Sequence, residues 1–405
     1  MSTLGGISVI VRGRVAPART KAVTVSGVAL SLFLTLAPAT IASAGTTVPL
    51  SNPFGYKYGY AAAKAELPKL YAGTSTAVNT TPRPAAKNKS VFIISAGQAS
   101  ISSSIPADAA QAAAQAAGWK ATILDGKLEP STYGGLVDQA IADGANGIIL
   151  DAVDCNQVKG PLEQAKAKHI AVVPIYAFDC NDPTEDAGPP LFSAVPNTNN
   201  LPDKELGAFS ESYGRGQADY VIAASHNKAR VLVLNDPEFT VLKYTAAGFD
   251  DQIAHSGGSK VVATLNFLAA DLGSKLQQEI QAELLKYPSI NWIKSPYTYA
   301  TELGVVPALA SQPKGKYDVM GGEGFQPELA GIASGSVTGA MAISSEWVAW
   351  AAVDAMNSVF THRPTYPSGI GWELVDKAHN LPANGELVPK VNFEAAYEKA
   401  WGVKG

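Results

Sequence analysis

Gly135-Leu136-Val137-Asp138-Gln139-Ala140-Ile141-Ala142-Asp143-Gly144-Ala145-Asn146-Gly147-Ile148-Ile149-Leu150-Asp151 is the stretch on which the fold turns. Gly135 to Asp143 reads as a helix. A glycine turn follows, and Gly147 to Asp151 is a short apolar run of strand length. Downstream the same alternation repeats. Pro161 to Lys168 reads as a helix with proline in its first turn, and Ile170-Ala171-Val172-Val173-Pro174-Ile175 as a strand. Upstream, Val91 to Ser95 and Ala121 to Leu124 are strands, separated by an alanine-rich helix, Ala107 to Gly118, whose last glycine can cap it. Strands that are apolar on both faces and alternate with helices predict a parallel sheet covered on both sides.

The alternation pauses at the polar connector Val195-Pro196-Asn197-Thr198-Asn199-Asn200 and restarts beyond a long helix near Asp203 to Ala224. Strands are expected at Arg230–Leu234, Lys260–Leu265, Ile290–Ile293, Tyr317–Met320 and Ala340–Ile343. Helices are expected at Val241–His255 and Leu272–Leu285. Two successive α/β runs joined by a short connector predict two lobes of similar architecture.

The 405 residues are enough for two well-packed domains, and 46% hydrophobic against 16% charged residues supports large cores. The first 44 residues hold four bases (Arg12, Arg14, Arg19 and Lys21) and no acid, which leaves about −8 for the remainder of a chain whose net charge is −4. A mildly acidic body argues against nucleic acid or an anionic membrane as partner. Those 44 residues read as a secretory signal. The bases end at Lys21, an apolar stretch runs from Ala22 to Leu36, and Ala42-Ser43-Ala44 forms a small-x-small cleavage site. A membrane anchor is the alternative, disfavoured because the apolar stretch is short and interrupted. The expectation is a periplasmic or otherwise exported protein, soluble after cleavage near Ala44. Residues 45–89 read as an irregular extension, with a turn at Ser51–Gly55, a short helix at Ala61–Leu70 and an extended tether from Thr74 to Lys89.

From about Ser90 to Val375 the chain resembles the type I periplasmic binding proteins, the ribose-binding-like family that feeds ABC importers. The resemblance lies in an order of phrases. Residues 135–150 resemble the family's helix, glycine turn and third strand, and Glu163 to Pro174 its next helix and strand. Ala229 to Leu234 followed by Ala247-Gly248-Phe249 resembles a strand and a helix ending in Gly-Phe, and Met320-Gly321-Gly322-Glu323 a strand ending in Gly-x-Asp. The resemblance implies two doubly wound parallel-sheet α/β lobes joined by three hinge crossings, near Val195–Asn200, Ser336–Ser344 and Thr365–Gly371, with a ligand cleft between them. Lobe 1 would comprise residues 90–195 and 344–366. Lobe 2 would comprise 196–343 and 367–392, leaving 393–405 as a C-terminal helix or tail. It further implies a protein that captures a small molecule by lobe closure and delivers it to an ABC importer permease, or serves a membrane sensor. A monomer without cofactor is expected, and no metal, since His169 should begin the strand between Cys155 and Cys180 at its opposite end.

Parallel α/β sheets present ligands at the carboxyl ends of their strands, and that rule selects candidates independently. In the first run they are Gln98 and Ser100, Asp151 and Asp154, then Tyr176, Phe178, Asp179 and Asn181. In the second they are Asp236, Glu238 and Phe239, then Asn266 and Phe267, Ser295 and Tyr297, Glu323 and Phe325. Trp347 opens the helix after the second crossing. Each polar residue has an alternative role as a cap or turn residue, and each aromatic as loop packing. Aromatic walls with hydrogen-bonding carboxylates and amides suit a polyol or sugar. Asp179 and Asn181 are expected to reach the ligand from lobe 1. Lys243 and Glu323 are expected to reach it from lobe 2, with Phe178, Phe239 or Trp347 as a wall. Lys243 stands where sugar-binding members usually carry arginine, Ser295-Pro296 where they carry Asn-Asp, and Glu323 where they carry aspartate. The arginines beyond the signal, Arg83, Arg215, Arg230 and Arg363, all fall outside the predicted cleft loops, which argues against an anionic ligand and for a neutral or cationic one.

Cys155 and Cys180 each follow the end of one of two consecutive parallel strands, which makes them expected neighbours and, in an oxidising compartment, an expected disulfide. Two free buried thiols are the alternative. No Gly-x-Ser-x-Gly elbow, His-Glu-x-x-His or phosphate-binding glycine loop is present, so an exported hydrolase is the weaker reading and a binder the stronger.

Overall fold

A computed structural model describes residues 48, 50–198 and 206–403. The signal segment, Asn199 and Asn200 of the connector and the expected start of the long helix at Asp203 lie outside the described residues. Among those described, no helix is long and apolar enough to cross a membrane.

Two sheets carry the fold. The first contains β1 (Ser90–Ser95), β2 (Lys120–Asp125), β3 (Gly147–Asp151) and β4 (Ala171–Ile175) in the order β2-β1-β3-β4, all parallel. β3 and β4 are buried along their whole length, as their continuous apolar runs predict. Pro174 is tolerated inside β4 because β4 is an edge strand, hydrogen-bonded only to β3. α2 (Ile101–Ala116), α3 (Pro130–Ala142) and α4 (Cys155–Ala167) connect these strands. α2 starts six residues before the expected Ala107 and holds Pro106 within it. The extra turn brings Ser102 and Ser103 onto the cleft side.

The second sheet contains β5 (Arg230–Asn235), β6 (Lys260–Asn266), β7 (Trp292–Lys294), β8 (Asp318–Gly321), β9 (Gly339–Ile343) and β10 (Trp372–Asp376), ordered β10-β9-β8-β7-β5-β6. Five strands are parallel. β10 closes the edge antiparallel to β9, with Trp372 opposite Ile343. α5 (Leu206–Ala224), α6 (Thr240–Ala254) and α7 (Ser274–Lys286) flank this sheet. α5 and α6 touch backbone to backbone. A Cβ at Gly248 would sit 2.1 Å from the Glu211 carbonyl oxygen, so the Gly-Phe phrase marks a crossing that only glycine permits.

Each lobe is assembled from discontinuous chain. After β9 the chain returns to the first lobe as the helix Ser345–Phe360, which packs against α2 and β4, and then goes back to form β10. The first and third crossings run side by side: Asn197 bridges Pro367, and Ser368 N–H donates to the Asn197 carbonyl at 3.0 Å.

The N-terminal extension is more ordered than its composition predicts. The helix α1 (Tyr60–Ala72) packs on α5 and β10. Beyond it the chain forms a strap along the third crossing. Thr74 N–H donates to the Trp372 carbonyl at 2.9 Å, Thr76 N–H to Gly369 at 2.8 Å and Asn79 N–H to Pro367 at 3.3 Å. Gly369, at φ +76°, is needed there because a Cβ would lie 2.4 Å from the Thr76 oxygen. The strap then reaches the first lobe, where Arg83 N–H bonds to Ala400 O at 2.7 Å and Ala85 N–H to Trp401 O at 3.0 Å, on the C-terminal helix Phe393–Trp401. The Arg83 side chain is buried against Asp354, Nε to Oδ1 2.6 Å, and Trp401 Nε1 donates to the same oxygen at 2.7 Å.

Candidate functional site

The carboxyl ends of both sheets face one another across a cavity of about 110 Å³. Lobe 1 contributes the first turn of α2 (Ser100, Ser102 and Ser103), Leu128, and the ends of β3 and β4 through Ala152, Pro174 and Tyr176. Ala152 (φ +54°) and Tyr176 (φ +51°) are both left-handed non-glycine residues, each turning the chain as its strand ends. The crossings add Pro196, Thr198 and Ile343, and the helix Ser345–Phe360 adds Val348. Lobe 2 supplies Leu206, Phe209, Ser210 and Tyr213 from α5, and Phe239, Val241, Leu242 and Thr245 from the start of α6. Leu272, Pro296, Tyr297 and Glu323 complete the wall.

The lobes are joined directly around this space. Ser102 Oγ donates to Glu323 Oε2 at 2.5 Å, and Thr298 N–H donates to the same oxygen at 3.1 Å. Asp154 accepts Phe178 N–H from its own lobe and Thr240 N–H from the other, both at 2.8 Å. Glu185 takes a short hydrogen bond from the Thr240 hydroxyl, Gln157 Nε2 reaches the Glu238 carbonyl at 3.3 Å, and Tyr244 donates to Asp182 at 2.9 Å. Phe178 stacks on Tyr244 with centroids 5.0 Å apart.

Enclosure sets the charge state of these acids. Glu323 borders the cavity but is surrounded by protein, and burial pushes its carboxyl up to about 8 against the hydrogen bonds from Ser102 and Thr298. Asp151, wholly buried at the end of β3, is held well above the ordinary carboxyl range, chiefly by burial and also by the nearby Glu323. Burial also raises Asp154, with the neighbouring Glu185 charge acting in the same direction.

A family model described as a periplasmic binding protein domain matches residues 92–364. The chain belongs to that periplasmic binding protein family. No curated protein matches the chain. Among solved structures, this periplasmic binding protein is similar to an ABC transporter solute-binding protein from Burkholderia graminis in complex with D-arabinose. The two are 19% identical, covering 73% of this chain and 96% of that one, with a TM-score of 0.59. The periplasmic component of the arabinose ABC transporter of Shewanella sp. ANA-3, bound to arabinofuranose, is 18% identical, covering 77% and 95%, with a TM-score of 0.60. A solute-binding protein of Mycobacterium smegmatis with bound glycerol is also 18% identical, covering 75% and 100%, at 0.60. At these identities the likeness is one of fold.

Within this periplasmic binding protein, the expected site residues fall in distinct places. Ser100, Phe239, Tyr297 and Glu323 line the cavity. Asp154 sits in the contact between lobes, and Lys243 Nζ lies 3.2 Å from Thr240 Oγ1 of its own helix. Asp179 turns into its own loop, accepting the N–H groups of Cys180, Leu191 and Phe192 at 2.7, 2.8 and 3.1 Å. Asn181 is exposed, and Gln98 bonds to Ser95 Oγ at 2.9 Å. Trp347 is buried outside the cavity, stacked on Phe393 at 5.5 Å. Cys155 and Cys180 form the expected disulfide, which ties the start of α4 to the loop after β4. Sequence reasoning missed the wall that α5 provides through Phe209 and Tyr213. That helix follows the first crossing rather than a strand, so the strand-end rule does not point to it.

Proposed function

We propose that this chain is an exported solute-binding protein that captures a small, non-anionic molecule between its lobes and delivers it to an ABC importer. The observation that carries the reading is a cavity at the facing carboxyl ends of two parallel sheets, bridged by hydrogen bonds from one lobe to the other. The sugars and the polyol held by the solved neighbours support a ligand of sugar size, bound without catalysis. The lobes are taken as residues 90–195 with 344–366, and 196–343 with 367–392, moving about the three crossings. Ligand favours closure only through its higher affinity for the closed state. Export follows from the basic and apolar N-terminal segment, with cleavage near Ala44, which sequencing of the secreted N-terminus checks. Service to a membrane sensor instead of a permease would use the same closure.

The test is a thermal-shift screen of the purified mature protein against a broad library of sugars, polyols, amines, amino acids and aromatic alcohols, followed by small-angle scattering with each hit. A ligand present at a hundred times its Kd should stabilise by about 2.7 kcal/mol and compact the particle. A library without a single stabilising compound, and scattering that never changes, would falsify the reading.

A further inference from the structure

The chemistry of the cavity wall narrows the ligand further. This step rests on the solute-binding reading above. Most of the wall is hydrocarbon, from Leu, Val, Ile, Pro and the rings of Phe209, Phe239, Tyr213 and Tyr297. Many of its hydroxyls are already committed. Tyr213 donates to the backbone carbonyls of Gly322 and Met341, and Tyr297 to Asp236. Tyr176 bonds to Ser345, while Ser210 and Thr245 bond back to the carbonyls of Leu206 and Val241 within their own helices. Among the described residues, no lysine, arginine, asparagine, glutamine or aspartate lines the cavity. The acids Asp154, Asp182 and Glu185, which do not line the cavity, each accept a hydrogen bond from the opposite lobe and at least one from their own.

What remains for a ligand is Glu323 Oε1, which has no hydrogen-bond partner among the described residues, together with the nearby hydroxyls of Ser100 and Ser103 on α2 and of Thr198 on the crossing. A pyranose carries a hydroxyl on almost every ring carbon, and each one buried here without a partner costs about 1–3 kcal/mol. The volume agrees with a compact guest. At about 110 Å³ the space is somewhat below the ~150 Å³ apolar cavity that accommodates benzene.

We propose that the cavity binds a compact, predominantly apolar molecule with a single hydrogen-bond-donating head, a hydroxyl or an amine, placed against Glu323, rather than a polyhydroxylated sugar. The rings of Phe209, Tyr213, Phe239 and Tyr297 enclose the hydrocarbon body. An amine head would gain from those ring faces as well as from the carboxylate.

Calorimetric titration decides the matter, with benzyl alcohol and benzylamine as apolar probes and D-ribose, D-glucose and glycerol as polyhydroxylated ones. The expected result is saturable binding of at least one apolar probe and none of the second set. Glu323→Leu should weaken the bound probe about tenfold. Two cavity-filling variants, Val348→Phe and Ser210→Leu, each shown folded by circular dichroism, should abolish binding. The amine arm would weaken as pH falls and Glu323 takes up its proton, whereas the alcohol arm would not lose an ion pair. Sugar binding that the filling variants abolish, with the apolar probes inert, overturns the ligand class and leaves the solute-binding reading intact. Probe binding that survives both filling variants, or silence from both sets, also overturns the class. The library screen described above separately decides whether any solute binds.

Discussion

Glu323 and Asp179 occupy equivalent-looking places in the sequence, each shortly after a strand, yet they face opposite ways. Glu323 is drawn to the cavity because Ser102 and Thr298 hold one of its oxygens there. Asp179 instead fastens three backbone N–H groups of its own loop. Asp179→Ala is therefore expected to lower stability by about 1.5–3 kcal/mol, the range for hydrogen bonds to a charged group, while ligand affinity stays within a factor of two or so. Urea titration and calorimetry together check both halves of that expectation. Strand ends are legible from sequence, but the direction of a side chain beyond the end depends on neighbours from other segments, here Ser102 for one residue and Leu191 for the other. Gly248 was legible as part of a phrase whose reason only the fold supplies. Gly248→Ala should push α6 away from α5 and cost about 1–3 kcal/mol, read as a lower urea midpoint with unchanged secondary structure.

Among the elements, the extension departs furthest from its expected form. Its Thr-, Pro- and Ala-rich composition reads as a tether, and its backbone is indeed extended, but its hydrogen bonds go to β10, to the third crossing and to the C-terminal helix. None of these partners lies within a hundred residues of it in sequence, so no local pattern could announce them. The Arg83 guanidinium is the anchor on lobe 1. Arg83→Ala leaves Asp354 buried without its cation and should cost about 3–5 kcal/mol, measurable as a lowered midpoint in chemical denaturation. α2 runs six residues further upstream than its alanine-rich stretch announces, past Pro106, and the serines ahead of that proline line the site. The disulfide was legible because strand order alone brings Cys155 near Cys180. With its ends 25 positions apart in sequence, reducing it should cost about 3 kcal/mol in the chain-entropy model, checked by comparing denaturation with and without reductant.

At the scale of the whole molecule, the two-lobe arrangement was legible because it follows from the repeated alternation of strand and helix. The shape of the cavity was not, because it is formed where segments from several separated parts of the chain meet. Folding buries many carboxyls, at the cavity and elsewhere. Glu323 is pushed up to about 8, and Asp236 and Asp219 each to about 7, in all three cases chiefly by burial. The folded chain therefore holds these protons more tightly than the unfolded chain does. Their contribution is complete below about pH 4, the ordinary carboxyl range, and is lost as pH rises through 7 to 8. Stability should be greatest in mild acid and fall between pH 5 and 8, by at most about 1.4 kcal/mol per pH unit for each group. Urea denaturation across that range checks the slope, and Glu323→Gln should flatten its upper part. The strap has a consequence of another kind, for the form of the motion rather than its energy. A lone connecting strand can bend and also swivel. The segment 74–79, paired along the third crossing that itself lies against Asn197, makes a ribbon, and a ribbon flexes readily about one axis only. The lobes would then swing along a single arc, so that every closing stroke brings the same two walls into the same register.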